Sequence, residues 1–417
     1  MKVCVLGLGY VGLPTGALLA TKGMRVHGVD TNGALVEAIN GGSFTSVEPD
    51  LDLLVKSAVG SGNLVASNVP APADVFILAV PTPVLPDHSG ADLSAIKAAC
   101  EALAEHLAPG NLVILESTVP VGTTERMAEW IGNCRADLTF RETEGHANDG
   151  NRIFLAHCPE RVLPGHLMQE LLENDRTVGG IDMPSAERAR DFYAIFVHGA
   201  ITLTNARAAE LSKLVENAYR DVNIAFANEL SIICDDLDID VWDLIQLANQ
   251  HPRVNVLSPS SGVGGHCIAV DPWFIVASSP ERAKLIRAAR EVNDSKPGHV
   301  VAKVKRAVGD RKGAVIACLG LAFKPEVDDL RGSPALEIVE CLAADQRLNL
   351  LVVEPHIQEL PGILSNLENV DFVDVDTALK EADVVALLVN HREFQALDRS
   401  LLVGKSIVDT SGSWRAL

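Results

Sequence analysis

The sequence predicts an α/β protein with two doubly wound parallel-sheet domains, joined by a long central helix and a helical middle domain. Three observations predict it. Apolar runs of buried parallel-strand type alternate with helical patterns near the start of the chain. The same alternation begins again near residue 314, and an unbroken helical stripe lies between the two. Strands buried on both faces read as continuous Val/Ile/Leu runs, whereas the helices covering them repeat near every 3.6 residues.

The elements follow in order. Residues 3–6 are a short apolar strand, 11–20 a helix and 25–29 a second strand. Residues 75–80 and 112–115 are further buried strands, with a helical pattern over 93–107 between them. The stretch 133–151 is polar, contains glycine and reads as a surface excursion. From 206 to about 235, Leu211, Leu214, Val215, Ala218, Tyr219 and Val222 mark an apolar stripe on one helix. Its length suits a spine between domains and a dimer surface. Another helix covers 281–308, and strands return at 314–319, 350–353 and 384–389. The expected domains are 1–204, 205–309 and 310–417, the outer two Rossmann-like.

Composition narrows the function. The net charge of −20 opposes a broad nucleic-acid surface, so anionic ligands need local cations or helix N-termini. The eight cysteines are scattered without a CxxC pair, and the twelve histidines show no HExxH spacing, so no metal is expected. No apolar run is long enough to span a bilayer, and a strand beginning almost at once leaves no room for a signal peptide. A cytoplasmic protein is the expectation.

The N-terminal run from Val3 to Gly12 reads strand, glycine turn, helix start. Gly7 permits the turn, Gly9 admits a pyrophosphate, and Gly12 lets the helix pack on the strand; Tyr10 and Val11 lie between. Asp30 ends the next strand, where a carboxylate accepts ribose hydroxyls and repels a 2′-phosphate. Thr31 and Asn32 add no cation, so NAD is favoured over NADP. The alternatives are a sheet domain that binds nothing, or one that binds FAD. Pro81 and Thr82 after one strand, and Glu116, Ser117 and Thr118 after another, occupy strand ends where such ligands sit.

The second informative run is Gly262-Val263-Gly264-Gly265-His266-Cys267-Ile268-Ala269-Val270-Asp271. It sets one thiol after glycines that let the backbone approach a ligand, four residues before a carboxylate. Such a cysteine is a nucleophile if its thiolate is favoured, and otherwise a small buried hydrophobe. Lys213 and Asn217 stand one helical turn apart and could hold an oxygen that changes charge, although spacing alone favours a solvated face. Glu160 could activate water or simply pair with an arginine.

These runs, with Glu116 to Thr124, Cys158 to Gly165, Glu210 to Leu230 and Phe323 to Pro334, resemble the UDP-glucose/GDP-mannose dehydrogenase family along essentially the whole chain. The resemblance implies NAD-dependent, four-electron oxidation of the C6 hydroxymethyl group of a UDP-sugar. Cys267 would carry a thiohemiacetal and then a thioester. Lys213 and Asn217 would stabilise oxyanions, Asp271 would assist acid–base chemistry, Glu160 would help hydrolyse the thioester, and Thr118 would position water or substrate. Arg161, Val162, Asn255, Gly262, Gly264 and Lys324 would contact the sugar nucleotide, and Arg331 the cofactor side. Arg253 would reach the site of a partner subunit in a homodimer. Residues 251–255 and 266–275 are similar to members acting on UDP-N-acetyl-D-mannosamine, with UDP-N-acetyl-D-glucosamine as the alternative. Ser260 and Ser261 depart from the family's usual PGPGVGG run. A one-step hydroxyacid dehydrogenase needs neither the thiol nor a second sheet domain; a non-catalytic sensor would need neither thiol nor lysine.

Overall fold

The structure is a computed structural model that describes residues 1–46, 48, 50–87, 89–141, 150–162 and 165–415. Residues 142–149 of the polar excursion lie outside the described residues, as do Leu163 and Pro164 of the Cys158–Gly165 run. Two compact units are present, Met1–Val215 and Glu216–Leu417.

The first unit is built on eight strands: β1 (Lys2–Leu6), β2 (Arg25–Val29), β3 (Leu64–Ser67), β4 (Val75–Leu78), β5 (Leu112–Leu115), β6 (Phe154–His157), β7 (Arg176–Gly180) and β8 (Ile201–Asn205). Their order in the sheet is β3-β2-β1-β4-β5-β6-β7-β8. Side chains alternate between two cores. Val3, Val5, Ile77 and Ile114 enter one, and Cys4, Leu6, Phe76, Val113 and Leu115 the other. Because both faces are buried, helices must cover both, which is why the strands read as unbroken apolar runs. The strand expected over 75–80 ends at Leu78. The Ala79 N–H still bonds to Leu6 O at 2.8 Å, and the chain then leaves the sheet to form the loop at Pro81 and Thr82.

Two strands at one edge run the other way. β7 is antiparallel to β6, with His157 opposite Gly179, and β8 is parallel to β7. Carried three residues further, that register sets Glu160 opposite Arg176. The start of β7 therefore shares a rim with the ends of β5 and β6.

The second unit carries the five-stranded parallel sheet β11-β10-β9-β12-β13, formed by β9 (Val315–Leu319), β10 (Asn349–Val353), β11 (Val370–Phe372), β12 (Val384–Leu387) and β13 (Ser406–Asp409). It repeats the first sheet's device: Ile316 and Cys318 face one core, Ala317 and Leu319 the other. In both sheets the strand order reverses beside the first strand, between β1 and β4 and between β9 and β12. That reversal opens a crevice at the strands' carboxyl ends.

The long helix runs Ala206–Leu237, and a second covers Lys284–Val308. Inside the second unit they are joined by a buried polar knot. Arg290 donates to Asp221 Oδ1 at 2.5 Å, and Asn293 donates to the same oxygen at 2.8 Å. Both charged side chains are fully buried, so each depends on the other. Leu211, Val215, Tyr219, Phe226, Ile233 and Leu237 form an exposed stripe along the long helix. No described helix is long and apolar enough to cross a membrane.

Candidate active site

The glycine turn after β1 shows which glycines the fold itself demands. Gly7 has φ +92°, and a Cβ there would lie 2.6 Å from Ala79 O. A Cβ on Gly12 would lie 1.9 Å from Gly7 O. On Gly9 it would meet no described atom within 4 Å. Packing thus explains Gly7 and Gly12, whereas Gly9 leaves open space where a pyrophosphate would approach. The helix that follows, Gly12–Thr21, has no side-chain cap from a described residue, so its first N–H groups suit an anion.

Asp30 fastens this turn. Its Oδ2 accepts from Leu8 N at 2.9 Å and its Oδ1 from Asn32 N at 2.9 Å. Asn32 in turn caps the next helix through Ala34 N and Leu35 N. Tyr10 donates its hydroxyl to Glu48 Oε1 at 3.0 Å, and Val11 occupies the cap position of the glycine-turn helix. On the next strands, Thr82 Oγ1 donates to Thr118 O at 2.6 Å and Ser117 Oγ donates to Val80 O at 2.7 Å. These bonds tie the β4 and β5 loops together at the strand ends. Residues fitting a dinucleotide therefore share one rim of the first sheet.

The same rim carries a buried cluster. Glu160, left open between water activation and arginine pairing, pairs with Arg176: the guanidinium donates to Oε2 at 2.8 Å with both side chains buried. Its other oxygen accepts from Arg161 N at 2.6 Å. Arg161 reaches Ser212 Oγ at 3.5 Å, and Val162 packs against the core.

In the second unit the thiol loop is held by its glycines. A Cβ on Gly264 would lie 2.3 Å from Gly332 O, and one on Gly262 would lie 2.8 Å from Pro334 Cβ. Gly265, at φ +82°, faces the Phe323 ring, 2.7 Å from where its Cβ would stand. Gly264 thus lies against the backbone of Gly332, and its neighbours lie against the side chains of Pro334 and Phe323. The departure at Ser260 and Ser261 is absorbed locally. Ser260 N donates to Asn228 Oδ1 at 2.8 Å, its hydroxyl donates to Gly262 O at 2.8 Å, and Ser261 is buried.

Cys267 is exposed at the end of this loop. Its carbonyl accepts from Asp271 N at 2.9 Å, turning the chain into the helix Asp271–Ser278. Asp271 is buried, and its Oδ2 accepts from Asn217 Nδ2 at 2.6 Å. Lys213 stands one turn before Asn217 on the long helix and is half-buried. Arg331, expected on the cofactor side, is ion-paired with Asp329 at 2.6 Å and interacts electrostatically with Cys267. A cation beside a thiol favours the thiolate. Among the other cysteines, burial pushes Cys4 up to about 11 and Cys100, Cys158 and Cys318 up to about 12, and raises Cys234. Cys134 and Cys341 are exposed but lie on helices.

Sequence reasoning gave His266 no role. Its ring sits edge-on to Phe323, and burial followed by the charge of Arg331 holds it below the usual imidazole range. Adjacency to Cys267 was the signal. Lys324 lies over the Phe323 ring, 5.7 Å from its centroid. Asn249 clamps Val256 at both backbone groups, at 2.7 and 3.0 Å, and leaves Arg253 and Asn255 exposed between.

The turn after β9 mirrors that after β1. Gly320 has φ +96°, and Glu354 Oε2 accepts from Leu321 N at 2.7 Å and Ala322 N at 3.0 Å. The same oxygen meets His391 Nε2 at 3.1 Å, and His391 Nδ1 accepts from Glu326 N at 3.1 Å. His391 lies close to His356, Glu326 and Glu393, a set that could hold a metal, but hydrogen bonds already account for both of its nitrogens.

Residues 1–197 match the NAD binding domain of the UDP-glucose/GDP-mannose dehydrogenase family, 207–295 its central domain and 317–416 its UDP binding domain. A UDP-N-acetyl-D-mannosamine dehydrogenase from Campylobacter jejuni is 57% identical over 94% of this chain and 96% of its own. An NDP-N-acetyl-D-galactosaminuronic acid dehydrogenase from Ralstonia nicotianae is 53% identical over 99% of this chain and 96% of its own. The solved UDP-N-acetyl-mannosamine dehydrogenase from S. aureus superposes with a TM-score of 0.87 at 39% identity, over 100% of this chain and 96% of that one. With its glycine turn, its thiol loop and all three family domains in order, the chain belongs to the UDP-glucose/GDP-mannose dehydrogenase family and is an NAD-dependent oxidoreductase.

Proposed function

We propose that the protein oxidises C6 of UDP-N-acetyl-D-mannosamine twice and releases UDP-N-acetyl-D-mannosaminuronate. The observation that carries this reading is the exposed Cys267 on a glycine-held loop that leads into the Asp271–Asn217 hydrogen bond. The name of the Campylobacter relative supports the sugar.

NAD, when bound, supplies the hydride acceptor for both oxidations. Gly7, Gly9, Tyr10, Val11, Gly12, Asp30, Pro81, Thr82, Ser117 and Thr118 would hold it, with Arg331 on its side of the substrate. The Cys267 thiolate adds to the C6 aldehyde, so the reactive carbonyl stays attached. Lys213 and Asn217 steady the oxygen that changes charge, and Asp271 holds Asn217 in place. Glu160 takes a proton from the water that attacks the thioester. The C–S bond breaks, the uronate carboxylate leaves and the Cys267 thiolate is restored, the protons from water passing through Glu160 to solvent. Thr118 positions that water or the sugar. Arg161, Val162, Asn255, Gly262, Gly264 and Lys324 bind the sugar nucleotide.

The glycines give a sharp contrast. Gly9→Ala is expected to weaken NAD binding by about tenfold or more with an unchanged melting temperature. Gly12→Ala is expected to lower the melting temperature, because its Cβ would lie 1.9 Å from Gly7 O. Calorimetry and NAD titration of the two variants check both.

Residues 1–204 would bind NAD, 205–309 would carry the thiol loop and dimer surface, and 310–417 would bind the UDP-sugar. A homodimer along the long helix covers the exposed stripe from Leu211 to Leu237, and Arg253 enters the partner's site. A monomer in sedimentation at every concentration would overturn that. A cytoplasmic setting agrees with eight free cysteines, five of them buried.

The Ralstonia relative favours a second reading, a uronate of galacto configuration. The test is NADH yield from a limiting amount of UDP-N-acetyl-D-mannosamine, with the N-acetylglucosamine and N-acetylgalactosamine nucleotides in parallel. Two NADH per UDP-N-acetyl-D-mannosamine, with little from the others, is expected. Two from another sugar would move the substrate, and one or none would sink the thiol mechanism.

A further inference from the structure

The rim at the ends of β5 and β6 holds a buried carboxyl group that the mechanism above leaves unused. Glu116 is 3% exposed. Its Oε1 accepts the Tyr193 hydroxyl at 2.6 Å, and its Oε2 finds no hydrogen-bond donor among the described residues. Nearby, Arg176 donates one nitrogen to Glu160 Oε2 and another to Leu171 O at 3.1 Å. The third, its buried Nε–H, finds no acceptor among the described residues. Arg176 also lies over the Tyr193 ring, 5.5 Å from its centroid, so the guanidinium and Glu116 are held against the same phenol. Among the described residues, a donor and an acceptor without partners thus share one buried cluster, beside a carboxylate that already uses the same cation.

We propose that Glu116 is a positioning residue that competes with Glu160 for the guanidinium of Arg176, so that its protonation sets how firmly Glu160 is held. The inference rests on the reading of Glu160 as the group that activates water. With Glu116 neutral, Arg176 is committed to Glu160. With Glu116 ionised, the free Nε–H of Arg176 turns toward it, the cation is divided, and Glu160 accepts a proton from water more readily. Thioester hydrolysis therefore quickens as Glu116 loses its proton.

The surroundings put that change near neutrality. Burial pushes the Glu116 carboxyl up to about 7, against the attraction of Arg176 and with the repulsion of Glu160. The other titratable groups facing it keep one state there. Burial pushes the Cys158 thiol up to about 12 and holds the Tyr193 phenol well above its usual range.

The test begins without cofactor or sugar. Infrared difference spectra of the wild-type protein are expected to show a protonated carboxyl band that disappears through about pH 7 and is absent in Glu116→Gln, which keeps an oxygen for Tyr193. In Glu160→Gln the band is expected to disappear at lower pH, because Arg176 is released to Glu116. In Tyr193→Phe it moves higher, which serves if the glutamine variant folds poorly. In single turnovers followed by the mass of the Cys267 adduct, wild-type decay is expected to quicken roughly fivefold from pH 6 to pH 8, and decay in Glu116→Gln to stay flat. No carboxyl band in that range, or one unmoved by Glu160→Gln, overturns the shared guanidinium. A band that moves as expected, with adduct decay untouched by Glu160→Gln, overturns the reading of Glu160 instead.

Discussion

Replacing Cys267 by serine is expected to lower uronate formation by about a thousandfold or more, about 4 kcal/mol of barrier. The change is nearly isosteric, so the glycine-held loop should keep its course. What goes is the nucleophile, since a serine hydroxyl is far less acidic and less nucleophilic than a thiol. The loss should be specific. Cys134→Ser and Cys341→Ser, at the other exposed thiols, should leave turnover unchanged. The measurement is carboxylate product per UDP-N-acetyl-D-mannosamine, together with intact mass to detect a sugar adduct on the wild-type protein. Undiminished acid from Cys267→Ser would exclude the covalent route.

The second large effect is on stability. Arg290→Leu is expected to cost about 3–5 kcal/mol, because Asp221 would remain fully buried with only Asn293 to answer its charge. Adding Asp221→Leu should return much of the loss, since the penalty lies in the unpaired ion rather than in the missing attraction. Urea midpoints of the wild type and the two variants at an unchanged slope decide it. A single variant within about 1 kcal/mol of wild type would show that the knot relaxes freely.

Local chemistry made much of this protein legible. Gly7 and Gly12 could be read in place because the glycine turn and the helix start it leads into are neighbours in sequence. The second sheet domain was legible because its strands repeat the same two-faced apolar runs. Contacts set by register or by distant loops were not. The Asn217–Asp271 bond joins residues 54 positions apart. The Glu160–Arg176 pair exists because β7 runs against β6, and nothing in Arg-Thr-Val-Gly-Gly states a direction. That Glu160 has an arginine partner therefore could not be read from its neighbours. Glu116 was visible as a strand-end residue, but its missing partner at Oε2 is a fact of burial that no sequence pattern records.

The thiol loop has a wider consequence for redesign. Gly262, Gly264 and Gly265 bring no side chains of their own; their course is imposed by Phe323, Gly332 and Pro334, more than fifty residues downstream. The ten residues from Gly262 to Asp271 are therefore not a portable cassette. Grafted onto another scaffold, they would carry the thiol without the mould that aims it. Chimaeras exchanging sugar preference between relatives should move this loop and the 323–334 segment as one inheritance, because either alone meets a foreign template.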